Sequence, residues 1–578
     1  MNRLRPRKLG HCLFLIIAMS LYGCGGSGSE DSSLPPVDNP PAPPPVDPPV
    51  DPPAVPPVAL ADATTDHAFS TDHFTGSANC SSCHDGIRDA DGTDVSIVAD
   101  WQPGMMANSS RDPFWRAKVA SEVRRNPGLQ EEIEGTCSRC HTPMAHVEAE
   151  FEAAQILLFG TGFLHPDNAL FDAAADGVSC TLCHQIADSA ELGTVDGFSG
   201  QFEIAYNAGI DRELFGQYDD PFASPMINQV GFTPAGSAHI ASSEVCATCH
   251  NLFTPIVDAA GNLTNDVFPE QSVYTEWENS DYADTMSCVD CHLPSAVGDV
   301  QIATRPMNAL DGRPDFSQHL IAGGNTYMLD LIARNADTLS VTATGFDEMV
   351  DGTRALLGVA AEVSLEAVAR FGDDLGFTVR VVNNSGHKLP TSYPSRRAWL
   401  HVQITDAVGS VVFESGAIDA SGRIAGLNSD ADLTTLEPHH RTITSGEQVQ
   451  SYEALMEDRD GNLTYTLLEA AIYRKDNRLL PLGMDKTIVP VTIRPCGDAA
   501  DDPNFGAGGD LVDFRIPGLD AGTYAISVRL NYQTLAYGHA QDLFRDADDP
   551  YVARFQALNE SAQVRFETIG SASDSIDF

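Results

Sequence analysis

A chain of 578 residues is too long for one hydrophobic core, and its 42% apolar content fits folded segments rather than a fibre. Its 34 basic and 81 acidic residues leave a formal charge of −47, which excludes nucleic acid as a partner because a polyanion needs a basic surface. The same excess suits a soluble surface, cations and basic docking partners.

At the N-terminus Arg3, Arg5, Arg7 and Lys8 precede an apolar run from Cys12 to Leu21. The run is too short to span a bilayer and has the layout of an export signal. It ends in Leu21-Tyr22-Gly23-Cys24, which resembles a bacterial lipobox. The resemblance implies a signal peptide over 1–23, acylation of Cys24 and, with Gly25 in place of an aspartate, an outer-membrane lipoprotein facing the periplasm or the cell surface. An ordinary cleaved signal with Cys24 as a bystander is the alternative. No later segment holds the roughly 18 apolar residues of a spanning helix, so the membrane contact is expected to be the lipid anchor alone. Residues 24–60 are Gly/Ser-rich and then Pro-rich, as in Pro40-Pro41-Ala42-Pro43-Pro44-Pro45, and read as an extended tether.

Residues 61–355 carry the main signal. Ten of thirteen cysteines fall into five copies of C-x-x-C-H: Cys80/Cys83/His84, Cys137/Cys140/His141, Cys180/Cys183/His184, Cys246/Cys249/His250 and Cys288/Cys291/His292. Chance would supply on the order of 0.01 copies. The spacing is that of c-type haem attachment, in which two thiols form thioethers to one porphyrin and the adjacent histidine binds iron as proximal ligand. Zinc ribbons and disulfides explain the cysteine pairs but not the histidine after every second cysteine. Five haem c groups are therefore expected. Of the rest, Cys12 lies in the leader, Cys24 is the lipid site, and Cys496 stands alone as a plain thiol.

Eleven histidines remain outside the motifs and the leader for the opposite faces of the irons. His73 and His239 each lie seven residues before a motif, at Cys80 and Cys246, so one unit is used twice. His146 follows His141 by five residues on a helix expected over 145–158. His319 opens a glycine-containing segment that permits close approach to a flat cofactor, and His387 sits in the stiff Gly386-His387-Lys388-Leu389-Pro390 turn. These five are the candidate distal ligands. His165 and His67 rank lower, and His401, His439, His440 and His539 read as surface or packed histidines. Met105 or Met106 offers a methionine-ligated alternative. Motif starts are 57, 43, 66 and 42 residues apart, so this part reads as helices and irregular loops wrapped on its cofactors.

Over 356–578 the period changes to alternation. Leu400, Val402 and Ile404 face one way against His401, Gln403 and Thr405, and Tyr524, Ile526, Val528, Leu530 and Tyr532 repeat the pattern. Turns such as Asp460-Gly461-Asn462 complete an antiparallel β-sandwich, giving an α+β multidomain chain. The acidic groups Asp498/Asp501/Asp502 and Asp546/Asp548/Asp549 lack EF-hand spacing and read as solvated surface.

Asp112-Pro113-Phe114-Trp115, Asp176-Gly177-Val178-Ser179-Cys180, Phe268-Pro269-Glu270-Gln271 and the His319 and His387 segments resemble multihaem bacterial cytochromes c. Over roughly 70–400 the chain is similar to the family of the tetrahaem electron acceptor of hydroxylamine oxidoreductase. The resemblance implies closely packed haems, mostly with two axial histidines, exchanging electrons with redox proteins of the cell envelope. Five haems and a long C-terminal region depart from that family. The ammonia-forming pentahaem nitrite reductases usually carry lysine in one motif, whereas all five motifs here end in histidine. An electron carrier is thus the expectation. The alternative is an oxidoreductase acting on a small nitrogen or sulfur compound at one open haem, and the sequence singles out no catalytic residue for it.

Overall fold

The computed structural model describes residues 68–577 apart from 208–210, 259 and 307–309. The leader, Cys24, the Pro-rich stretch and His67 lie outside the described residues.

From Phe69 to Val359 the chain runs through short helices joined by turns and bends. Local chemistry sets their ends. Asp112 caps the helix Pro113–Arg125 by accepting from the amides of Phe114 and Trp115, with proline at the first helical position. The helix expected over 145–158 instead spans Pro143–Phe151. Ala153 takes a φ of 52°, and the Glu134 carboxylate takes the amides of Leu158 (2.5 Å) and Phe159 (3.2 Å), so the following segment folds back as a loop. Two strands, Asn251–Val257 and Leu263–Ser272, form an antiparallel hairpin leading out of the fourth motif.

The C-terminal half is a sandwich of two sheets. Its strands are β1 (Ala361–Phe371), β2 (Asp374–Asn383), β3 (Arg397–Asp406), β4 (Val411–Ser415), β5 (Thr442–Ile443), β6 (Ser451–Glu457), β7 (Leu463–Thr464), β8 (Ile472–Asp476), β9 (Gly509–Ile516), β10 (Thr523–Gln533) and β11 (Glu567–Asp577). One sheet has the order β5-β9-β2-β1 and the other β7-β6-β3-β10-β11, with β4 on β3 and β8 on β6. All pairings are antiparallel except β5 with β9. The expected alternation holds in register: Leu400, Val402 and Ile404 pair with Leu530, Val528 and Ile526, and all six are buried. They meet Leu375, Phe377, Val379 and Val381 of β2 and Val512, Phe514 and Ile516 of β9 in one core, where the Phe377 and Phe514 rings stack at 4.9 Å.

The helical part and the sandwich interlock. The segment 535–562 returns from β10 to the helices, where Leu535, Val552, Phe555 and Leu558 share a core with Tyr327, Met328, Leu331, Ile332, Phe346 and Met349. Acidic side chains bind this joint. Asp542 and Asp546 pair with Arg125 at 2.8 Å each, and Asp549 caps the helix Pro550–Ser561. Asp502 is buried within the sandwich beside Arg441 (3.1 Å). The reading of these acids as solvated surface is therefore corrected for Asp502, Asp546 and Asp549, each of which has a structural partner. No described helix is long and apolar enough to cross a membrane.

Candidate haem-binding centre

Each motif lies on or at the end of a short helix: Ala78–His84, Gln130–His141, Cys180–Cys183, Ser243–His250 and Cys288–His292. Helical spacing of three and four residues turns both sulfurs and the histidine to one side. The first four motifs border one largely apolar cavity of about 770 Å³, together with His319, Met105 and Met106.

The motifs also meet each other. The Cys80 thiol lies within hydrogen-bonding reach of Cys180, Cys140 of Cys249, and Cys246 of Cys288, while Cys183 lies within electrostatic reach of Cys249. In spatial order the first motif adjoins the third, the third adjoins the fourth, and the fourth adjoins both the second and the fifth. Among the described residues no cysteine is in a disulfide.

The histidines are held as metal ligands need to be held. Backbone carbonyls fix Nδ1 of four motif rings: Ile302 O at His84 (3.0 Å), Ser109 O at His141 (3.2 Å), Phe215 O at His184 (2.5 Å) and Ala322 O at His292 (2.6 Å). An Nδ1–H donated to a carbonyl leaves Nε2 with its lone pair turned outward. Burial pushes His141 and His250 down to about 4 and also lowers His84 and His184, which keeps these rings neutral and basic at Nε2.

Two pairs of rings face each other at a telling distance. His184 and His319 have centres 6.3 Å apart with planes 25° from parallel, and His292 and His387 are 6.4 Å and 15° apart. A metal–imidazole bond of about 2 Å and about 1.1 Å from nitrogen to ring centre put two rings on opposite faces of one metal at about 6.2 Å. The spacing fits one iron between the members of each pair. His319 and His387 hold their own Nδ1 on Ser317 O (3.0 Å) and Lys388 O (2.9 Å).

The other three distal candidates stand differently. His73 is buried with Nδ1 on Glu148 Oε2 (2.8 Å) and its ring stacked on Phe151. His146 has Nδ1 on Ser138 Oγ (2.7 Å) and Nε2 beside Glu150 (3.2 Å). His239 engages both nitrogens, with Ser237 Oγ (2.7 Å) and Ile186 O (2.8 Å). The matched pair His73 and His239 both grip the residues after the third motif: Gln185 donates to His73 O (3.0 Å), and Ile186 O meets His239.

Behind His387 lies a buried ion network that no sequence pattern marks. Lys388 Nζ pairs with Asp476 (2.6 Å), Arg478 binds Asp476 (2.8 Å) and Glu276 (3.0 Å), and Glu276 accepts from Lys388 N (3.2 Å) and Thr391 Oγ1 (2.5 Å).

A second cluster, His439 with Asp502 (3.2 Å) and Asp510 (3.8 Å), is buried in the sandwich. Gln450 and Asn477 amides both donate to His439 Nδ1 (2.8 and 3.1 Å), which leaves the ring proton on Nε2, facing the carboxylates.

No protein-family model matches the chain, and no curated protein matches it. Among solved structures it is similar to a penta-haem cytochrome c552 from Thermochromatium tepidum, at 15% identity and a TM-score of 0.47, over 88% of this chain and 100% of that one.

Proposed function

We propose that this chain is an electron-transfer protein that binds five haems covalently, through Cys80/Cys83, Cys137/Cys140, Cys180/Cys183, Cys246/Cys249 and Cys288/Cys291, with the following histidines as proximal ligands. A bound haem supplies one-electron exchange at its iron. The observation that carries the reading is the contact of motif with motif around a shared cavity, since Cys80 meets Cys180, Cys140 meets Cys249 and Cys246 meets Cys288. Such contacts would bring cofactors attached at neighbouring motifs close together. His319 and His387 are the distal ligands that geometry favours, opposite His184 and His292. The chain would be exported, acylated at Cys24 and held off the outer membrane by its Pro-rich tether, with redox proteins of the envelope as partners.

A second reading, an oxidoreductase acting on a small nitrogen or sulfur compound at one open haem, draws support from the polar wall of the cavity beside Cys137. The test of the first reading is a haem-to-protein ratio by alkaline pyridine haemochrome with intact mass. Five haems per chain are expected, and any lower number in fully matured protein refutes the assignment.

A further inference from the structure

The cavity is lined mainly by apolar groups, but beside the second motif its wall is polar. Lys118, Glu122, Glu270 and Tyr393 line it there, and the Cys137 sulfur lies within electrostatic reach of Glu270, Glu122 and Lys118. Several of these groups lack the partners that burial demands. The Tyr393 hydroxyl is buried with no hydrogen bond, and so is Oε2 of Glu122, whose Oε1 is taken by Lys118 (2.9 Å) and by the amide of Leu467 (2.7 Å). Behind Tyr393, with ring centres 6.4 Å apart, His539 is 6% exposed and has neither ring nitrogen bonded. An unmade hydrogen bond of a buried polar group is costly, so a wall with several of them points to something polar that they bind.

Charge narrows the choice. Lys118, the cation beside Cys137, is matched by Glu122. An anion would meet no uncompensated positive charge here. Among the described residues the ring in contact with His141 is Trp115, stacked at 4.5 Å, and no histidine faces His141 as His319 faces His184. The second motif also ends a branch, with the fourth motif as its neighbour.

We propose that the pocket walled by Tyr393, Glu122 and Glu270 binds a small uncharged molecule that gives and takes hydrogen bonds, at the open face of the haem carried by Cys137, Cys140 and His141. The proposal rests on the reading of these residues as a haem-attachment site. Tyr393 is the donor towards the ligand, Glu122 the acceptor, and His539 lies behind them as a proton-bearing group that no other contact consumes. The rest of the cavity wall is mainly apolar.

The test uses the mature, haem-loaded protein. Carbon monoxide added to the reduced form is expected to shift at least one fifth of the haem absorption, and Tyr393→Phe to raise the carbon–oxygen stretch of that complex by removing its hydrogen-bond donor. Tyr218→Phe, at another part of the same cavity where the hydroxyl donates to Pro314 O (3.0 Å), is the control and should leave the stretch in place. Five haems with no carbon monoxide complex, or a complex whose stretch ignores Tyr393→Phe, overturns the pocket alone. A count below five overturns the attachment reading instead. Azide, an anion, is expected to leave the ferric spectrum unchanged at millimolar concentration, and azide ligation sensitive to Tyr393→Phe would overturn the assignment to an uncharged ligand.

Discussion

The network behind His387 allows the strongest single perturbation, Asp476→Asn. Lys388, Asp476, Arg478 and Glu276 are each buried, and the set is balanced, two positive charges against two negative. Asp476 is its hub: it takes Lys388 Nζ at 2.6 Å and two bonds from Arg478 at 2.9 and 2.8 Å. Although desolvation works against its charge, Arg478 and Lys388 hold its carboxyl well below the usual carboxylate range. Asparagine keeps the shape and removes the charge. Lys388, with its side chain fully buried, then faces Arg478 without a counterion between them. Removing one partner of a buried ion pair costs about 3–5 kcal/mol. The loss falls on one loop, because Lys388 N is also tied to Glu276 (3.2 Å) and the preceding residue is His387. The expected result is a fall of several degrees in the melting temperature of the mature protein, together with a new carbon monoxide complex in a further fifth of the haem as His387 leaves its place opposite His292. Thermal scans and carbon monoxide difference spectra on the same samples measure both. A variant that loses less than about 1 kcal/mol and binds no additional carbon monoxide would refute the claim that this network positions His387.

Two further outcomes follow from the geometry. His319→Ala is expected to open the site opposite His184 to carbon monoxide, whereas His239→Ala, whose nitrogens are held by Ser237 and Ile186, is expected to leave the carbon monoxide spectrum unchanged; equal effects would remove the basis of the ring-pair assignment. Burial raises Glu270 to about 7, above its value in an unfolded chain. A carboxyl shifted upward contributes stability that is complete below the unfolded value of about 4.3 and is lost as pH rises through 7, a span worth up to about 3 kcal/mol. Glu270→Gln should therefore melt close to the native protein at pH 5 and above it at pH 8, and parallel curves at both pH values would count against a buried, neutral Glu270.

Much of the architecture was legible because its causes are local. Alternation of Leu400, Val402 and Ile404 is a property of the strand itself, and it placed those residues in the core of the sandwich. The C-x-x-C-H spacing is equally local. The helix over 145–158 failed for a non-local reason: Glu134, far back in sequence, captures the amides of Leu158 and Phe159. The return of residues 535–562 onto the helices is non-local too, and neither periodicity nor composition encodes it.

The distal histidines show the same divide at the candidate site. The repeat shared by His73 and His239 is a true repeat of placement, since both reach the residues after the third motif, but a ligand must also keep Nε2 free, and that depends on partners distant in sequence. His239 spends Nε2 on Ile186 O, whereas His319 and His387 hold Nδ1 on a carbonyl within two residues, and their rings lie 6.3 and 6.4 Å from those of His184 and His292. A short stiff turn that satisfies its own Nδ1 is a better mark of a free imidazole than distance from a motif. The residues of the polar wall carry no such mark. Lys118 and Glu122 sit on a helix with the spacing of an ordinary ion pair, Glu270 lies in a hairpin and Tyr393 in a loop, and only the fold brings them to Cys137. What sets Tyr393 and Glu122 apart is hydrogen-bonding capacity left unspent in a buried place, a property of the assembled chain that no stretch of sequence can display.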